Sequence, residues 1–139
     1  MVFLRRPTVS APSTRTGWAS AVDRFARAVH RYSDRIEMIP DRPLRNDLRE
    51  VGEQLDAALA EVRRTPQGRR ARPAGSAVAV RAILRAGTLC AHATETALGA
   101  SDAARRHQPD EVARQLEVVR ACAADVHALT ESCLEPQGR

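Results

Sequence analysis

The three cysteines carry the most reactive side chains in this sequence. Helical phase places Cys90, Cys122 and Cys133 on or beside apolar stripes, and no Cys-x-x-Cys motif exists. Cys122 and Cys133 are eleven residues apart, about 16 Å along a helix, which is too far for an intrahelical disulfide. Cys90 meets Cys122 only if two helices bring them into register. We expect reduced, buried cysteines, which are typical of a cytoplasmic protein.

The four histidines are the candidate metal ligands. Three of them have an acidic residue at helical spacing, as His30 with Asp34, His92 with Glu95, and His127 with Glu131. The helical wheel places His30 and His92 away from the apolar stripes and His127 on a flank, where such pairs are usually solvated surface contacts. The Glu-x-x-His motif of di-iron bundles is missing. We therefore predict no metal site and no cofactor.

Catalytic motifs are equally absent from the sequence. The 22 basic residues are all arginine, so a Walker-type phosphate loop, Schiff-base or pyridoxal phosphate chemistry and a protein-kinase core are excluded. No Gly-x-Ser-x-Gly elbow occurs. Cys90 and His92 do not form a nucleophile–base pair, because residues two apart on a helix point to different sides. The sequence predicts a protein that is not an enzyme.

An arginine-rich segment between the second and third helices is the clearest functional signal. Residues 63–75 combine two prolines and two glycines with five arginines, namely Arg63, Arg64, Arg69, Arg70 and Arg72. Guanidinium groups bind phosphates bidentately, so this linker is a candidate polyanion-binding site. No aromatic residue is interleaved for base stacking. A solubilising loop and contact with an anionic membrane surface or acidic partner are alternative interpretations.

Four amphipathic helices are needed to position these residues. Apolar residues recur every three and four positions, as in the first helix at Trp18, Val22, Phe25, Val29, Tyr32, Ile36 and Ile39. The predicted helices cover about residues 17–39, 43–63, 76–98 and 109–134. In the third, Gly87 and Ala91 leave room for a close neighbour. Gly99 is expected to end it, with a continuous helix to Arg106 as the alternative.

These elements predict an all-α fold, an antiparallel four-helix bundle built from two αα-hairpins joined by a basic flexible linker at residues 64–75. Residues 1–15 contain prolines, serines and three arginines, and this composition predicts a disordered basic tail. Residues 16–135 then form one domain. The bundle can close within one chain or exchange a hairpin between two chains. No stretch is apolar enough to predict a membrane span or a secretory signal.

Net charge is unevenly distributed along the chain. The formal charge is +5 over 139 residues, but the tail and linker hold eight arginines, while the remainder holds 14 arginines and 17 acidic residues. The helical part is therefore mildly acidic, and the tail and the linker are basic. Because the composition is rich in alanine and arginine and lacks lysine, codon usage suggests a bacterial origin.

Three hypotheses for function follow. The first is a non-enzymatic scaffold or adaptor that binds a protein partner or forms a homodimer, because the helices have strong heptad spacing and the chain lacks catalytic motifs. The second is a nucleic-acid-associated accessory protein whose linker and tail contact phosphates. The third is a bundle that binds a small ligand or metal in its alanine-lined interior.

Overall fold

A computed structural model describes residues 14–64 and 73–134 of the chain. These residues form four helices and no strand: α1 (Thr14–Ile36), α2 (Arg42–Arg64), α3 (Pro73–Arg105) and α4 (Pro109–Leu134). The prediction of an all-α, four-helix architecture is confirmed. The predicted tail up to residue 13 and the linker residues 65–72 lie outside the described residues. Arg15 was assigned to the tail but belongs to α1, and Pro73 opens α3, where its missing N–H costs no hydrogen bond.

The predicted end of the third helix at residue 98 is wrong. α3 continues through Gly99 to Arg105, close to the alternative considered above. A glycine inside a helix costs only about 1 kcal/mol relative to alanine. The turns beyond Gly99 bury Ala100 and Ala103, and this burial favours continuing the helix. The lesson is that an isolated glycine does not stop a helix whose next turns still contribute to the core.

His107 is the residue that ends α3. It has a positive φ of 57°, the left-handed conformation typical of the residue that follows a helix. The N–H of His107 donates to the carbonyl of Ala104 at 3.1 Å, and the N–H of Gln108 donates to that of Ala103 at 3.0 Å. This pair of bonds is a Schellman motif, and it satisfies carbonyls that would otherwise lack partners.

Polar contacts fix the turn between α1 and α2. The N–H of Leu44 donates to the Asp41 carboxylate at 3.0 Å, so Asp41 is the N-cap of α2. Arg45 Nη1 donates to the Ile39 carbonyl at 2.6 Å. α1 stops at Ile36, three residues before the predicted end, but Ile39 remains buried in the core. The apolar stripe therefore extends beyond the helix that it predicted.

Contacts across the helices give their directions. Tyr32 donates a hydrogen bond to the Leu48 carbonyl at 2.8 Å, and a Cβ atom placed on Gly52 would lie 3.3 Å from the Tyr32 ring. Arg45, earlier in α2, donates to the carbonyl of Ile39, which follows the end of α1, so residue numbers fall in α2 as they rise along α1 and the turn after it. These two helices therefore run in opposite directions.

The second hairpin shows the same relation. Cys133 lies beside Ala79, to whose carbonyl its thiol donates at 3.6 Å. At the other end, a Cβ atom placed on Gly99 would lie 3.8 Å from the Gln115 amide. Residue numbers therefore fall along α4 as they rise along α3, and this pair also runs in opposite directions.

The two hairpins pack with their first helices side by side and parallel. A Cβ placed on Gly17 would contact Val80, and one placed on Gly87 would lie 3.6 Å from the Phe25 Cα, so residue numbers rise together in α1 and α3. The backbone of α1 lies close to those of α2 and α3, and the backbone of α4 lies close to the same two helices, whereas the backbones of α1 and α4 do not come close to each other. The order around the bundle is α1, α3, α4, α2, and it is not antiparallel throughout.

Large side chains from α1 and α2 pack against small ones from α3. Phe25, Tyr32, Leu48 and Leu55 are almost completely buried. The buried positions of α3 are mainly small residues: Ala79, Ala86, Cys90, Ala93, Ala97 and Ala100. Small residues allow close approach of helix backbones, so α3 packs tightly against both α1 and α4. Trp18 is buried and belongs to this core.

Candidate functional site

The cysteines form a buried pair and a separate third thiol. Cys90 and Cys122 are buried and all three cysteines are free. The register that places Cys133 beside Ala79 also places Cys90 opposite Cys122. Burial and, to a smaller extent, the nearby Cys122 together raise the pKa of Cys90 to about 12. Burial also raises the pKa of Cys133 to about 11. These thiols are held in the protonated, poorly nucleophilic form.

Alkaline pH is expected to destabilise the protein through Cys90. Its folded-state pKa lies above the ordinary value of 9.0, so stability is fully present below pH 9 and is lost as pH rises toward the folded pKa. The slope for one such group approaches about 1.4 kcal/mol per pH unit. Urea denaturation between neutral pH and pH 11 measures this loss. Cys90→Ala should have a lower starting stability and a shallower decline, and a parallel decline in both proteins would contradict the assignment.

The four histidines lie on the surface. His30, His92, His107 and His127 are exposed, and His127 Nε2 lies 3.5 Å from the Glu131 carboxylate. Across residues 14–64 and 73–134, no three His, Cys, Asp or Glu side chains come together in a group able to hold a metal ion. The sequence placed His30 and His92 away from the apolar stripes, and their exposure agrees with that placement. His127, predicted on a flank of its stripe, is exposed as well.

A surface groove lies between the end of α1 and the second half of α3. Its volume is about 650 Å³, and it is open to solvent. It is lined by Arg35, Met38, Ile39, Pro40, Glu95, Leu98, Gly99, Ser101, Asp102 and Arg105. The Asp102 carboxylate is paired with Arg105 at 2.6 Å and with Arg106 at 3.2 Å. The charged groups of this groove are therefore partly neutralised by one another.

Of the predicted polyanion-binding arginines, two lie in the described residues. Arg63 and Arg64 are exposed in the last turn of α2, and Arg64 forms an ion pair with Glu61. Arg69, Arg70 and Arg72 lie outside the residues that the structure describes. The helix directions place the start of α1, the end of α2, the start of α3 and the end of α4 at one end of the bundle. The sequence segments 1–13 and 65–72 are therefore both attached to that end.

A second set of arginines, on α1, was not singled out by the sequence analysis. Arg24, Arg27, Arg31 and Arg35 are all exposed, at spacings of three, four and four residues. This spacing places them in one stripe along the helix, which we call the arginine stripe. Their signal is present in the sequence as a helical period of arginines.

The arginine stripe comes next to α3 at one end, where Arg35 lines the groove shared with that helix. At the position of Arg24 the backbones of the two helices are close, because a Cβ placed on Gly87 would lie 3.9 Å from the Arg24 carbonyl oxygen. Arg27 lies 3.6 Å from Asp23 in an exposed ion pair. Within the described ranges, no acidic side chain forms an ion pair with Arg24, Arg31 or Arg35.

Helix order also separates charge across the bundle. α1 has five arginines and two aspartates, and α3 has three arginines and two acidic residues, which gives this neighbouring pair a formal charge of +4. α2 has five residues of each sign, and α4 has two arginines and five acidic residues, which gives the opposite pair −3. We call these the basic side and the acidic side.

No helix in the described part of the chain is long and apolar enough to cross a membrane. Comparison of the chain with family models, curated proteins and solved structures finds no match.

Proposed function

We propose that this chain is a non-enzymatic helical scaffold or adaptor that binds other macromolecules through its charged sides. The observation that carries the proposal is the opposite charge of the two sides, +4 on α1 and α3 and −3 on α2 and α4. Complementary charge orients and accelerates association between proteins. The interior is filled by buried apolar side chains, so binding at the surface is favoured over binding inside.

A second copy of the chain offers the simplest complementary partner. The basic side of one molecule faces the acidic side of the next, which is a heterologous contact that closes into a ring or continues as a filament. Such a contact weakens as salt rises, because charges separated by more than about 8 Å are screened at physiological ionic strength. The proposal also includes an acidic or basic protein partner in place of the second copy.

Sizing by light scattering over a concentration series tests the self-association. At low salt we expect the mean mass to rise with protein concentration, and at high salt we expect this rise to diminish. Arg24→Glu with Arg31→Glu replaces two positive charges with two negative ones, which cancels the formal charge of +4 on the basic side, and should suppress the rise at low salt. A strict monomer at high concentration and low salt would remove the self-association part of the proposal.

A nucleic-acid-associated accessory protein is the second candidate function. It is favoured by the attachment of segments 1–13 and 65–72 to the same end of the bundle, because Arg5, Arg6, Arg69, Arg70 and Arg72 belong to those segments. A variant in which glutamine replaces five arginines should bind a duplex more weakly and with a flatter salt dependence. The five replaced residues are Arg63, Arg64, Arg69, Arg70 and Arg72. Unchanged, salt-insensitive binding after this substitution would reject the linker as the phosphate contact.

We also propose a bacterial, cytoplasmic location. The free state of Cys90, Cys122 and Cys133 supports a reducing compartment. A membrane-impermeant thiol reagent, applied to intact cells and to lysates prepared under denaturing conditions, tests this location. If the thiols are labelled only after the lysate has been treated with a reductant, they were oxidised in the cell, and the result would contradict this location.

A further inference from the structure

We propose that the arginine stripe of α1 (Arg24, Arg27, Arg31 and Arg35) binds the phosphate backbone of double-stranded nucleic acid. This inference rests on the second candidate function and gives it a surface within the folded helices. The sequence directed that function to the linker and the tail. The structure adds a helical surface whose residues are described and can be tested one by one.

The stripe has the dimensions of a backbone contact. Arg24 and Arg35 are eleven residues apart, about 16 Å along the helix. Successive phosphates of one strand advance about 3.4 Å along the duplex axis, so the stripe covers a run of several phosphates. Arginine suits this contact because its planar guanidinium group donates two parallel hydrogen bonds to one phosphate.

The first half of the stripe is the more strongly basic part. Glu95 and Asp102 of α3 line the groove beside Arg35, so the field at that end is partly cancelled. Around Arg24 and Arg31, the acidic neighbours on α1 are Asp23, which pairs with Arg27, and Asp34, which is exposed. Arg24 is also nearer the end of the bundle to which the basic segments attach.

Two further arginines lie on α3, the helix that runs parallel to α1. Arg81 and Arg85 are exposed in its first half, and no described acidic residue forms an ion pair with either of them. They add to the positive charge of the basic side, while Arg24 and Arg31 of α1 can be approached by a polyanion without displacing an internal partner.

Nucleic acid suits this surface better than a lipid surface. Interfacial helices insert aromatic or large aliphatic side chains between basic ones. The large apolar side chains exposed in the described residues are Met38, Val78 and Val118, and none belongs to the arginine stripe. A surface on which Arg24, Arg31 and Arg35 have no ion pair with a described residue, and into which no large apolar side chain projects, matches contacts to a phosphate backbone.

The expected signature is a salt dependence that changes with the number of arginines. Three or four phosphate contacts give a slope of log affinity against log salt concentration of about −3 to −4. Each removed contact should reduce the steepness of the slope by about 1. The slope measured for the double variant Arg24→Gln with Arg31→Gln should therefore be smaller in magnitude than the wild-type slope by about 2.

Fluorescence anisotropy with a labelled, mixed-sequence DNA duplex measures these slopes between about 50 and 200 mM salt. The matched control is Arg42→Gln with Arg120→Gln, which removes the same charge from exposed arginines of α2 and α4 that have no ion pair with a described residue. We expect the stripe variant to bind more weakly with the flatter slope, and the control to retain the wild-type slope. Circular dichroism verifies that both variants fold.

The outcomes separate this inference from the function on which it rests. If the linker variant loses binding while Arg24→Gln with Arg31→Gln retains it, the stripe is rejected and the second candidate function stands. If the full chain binds no duplex at low salt, both are rejected. Equal losses in the stripe and control variants would show a general net-charge effect and overturn the proposal. Tighter, stripe-dependent binding to phosphatidylserine vesicles than to duplex would also overturn it.

Discussion

Phe25→Ala is expected to lower the free energy of unfolding by about 3–5 kcal/mol, the usual cost of removing a fully buried aromatic side chain. Phe25 is completely buried between α1 and its neighbours, and its backbone contacts Gly87 of α3. This cost is a large share of the roughly 5–15 kcal/mol that stabilises a typical domain. Urea denaturation measured by circular dichroism gives the difference directly.

Met38→Ala provides the matched control for this substitution. Met38 is 77% exposed at the end of α1, so its removal should change stability by no more than about 0.5 kcal/mol. A loss for Phe25→Ala that is no larger than that for Met38→Ala would show that residue 25 does not lie in the core. The assigned phase of the α1 stripe would then be wrong.

Gly87→Leu is expected to destabilise the bundle by about 1–3 kcal/mol or more, because the added side chain overpacks the α1–α3 contact. A Cβ atom at this position already lies 3.6 Å from the Phe25 Cα and 3.8 Å from its nitrogen. Gly87 is partly buried, so the remaining three carbons of leucine add bulk beside the backbone of α1. The same denaturation measurement applies.

Gly87→Ala should behave in the opposite way. Its Cβ makes ordinary van der Waals contacts, and alanine has a helix propensity about 1 kcal/mol better than glycine, so the variant should be as stable as the wild type or more stable. Thr88→Leu, at an exposed neighbouring position, should be nearly neutral. Wild-type stability in Gly87→Leu would contradict the close approach of α3 to α1.

The sequence predicted the helices well because each one has a strong apolar period. The stripe from Trp18 to Ile39 is buried at every one of its principal positions except Val22, which is partly buried. Local signals were also sufficient for the N-cap at Asp41. They misled at Gly99, because local propensity there opposes the burial of Ala100 and Ala103, and burial prevails.

The arrangement of the helices could not be predicted in the same way. A stripe shows that a helix buries one face, but it does not identify the helix that covers that face. The side-by-side packing of α1 with α3 depends on the shape match between Gly87 and the Phe25 backbone, which are distant in sequence. Because the charge separation follows from this helix order, the basic side and the arginine stripe were also not predicted.

The central claim is that α1 and α3 are parallel neighbours, and that this packing gathers the arginines on one side. Nuclear Overhauser contacts in the folded protein test it most directly. We predict cross-peaks between the Gly87 α-protons and the Phe25 α-proton, and between the Gly17 α-protons and the Val80 methyl groups, since each pair lies in contact. Contacts from these α1 residues to α4 in place of α3 would contradict the helix order and the basic side that depends on it.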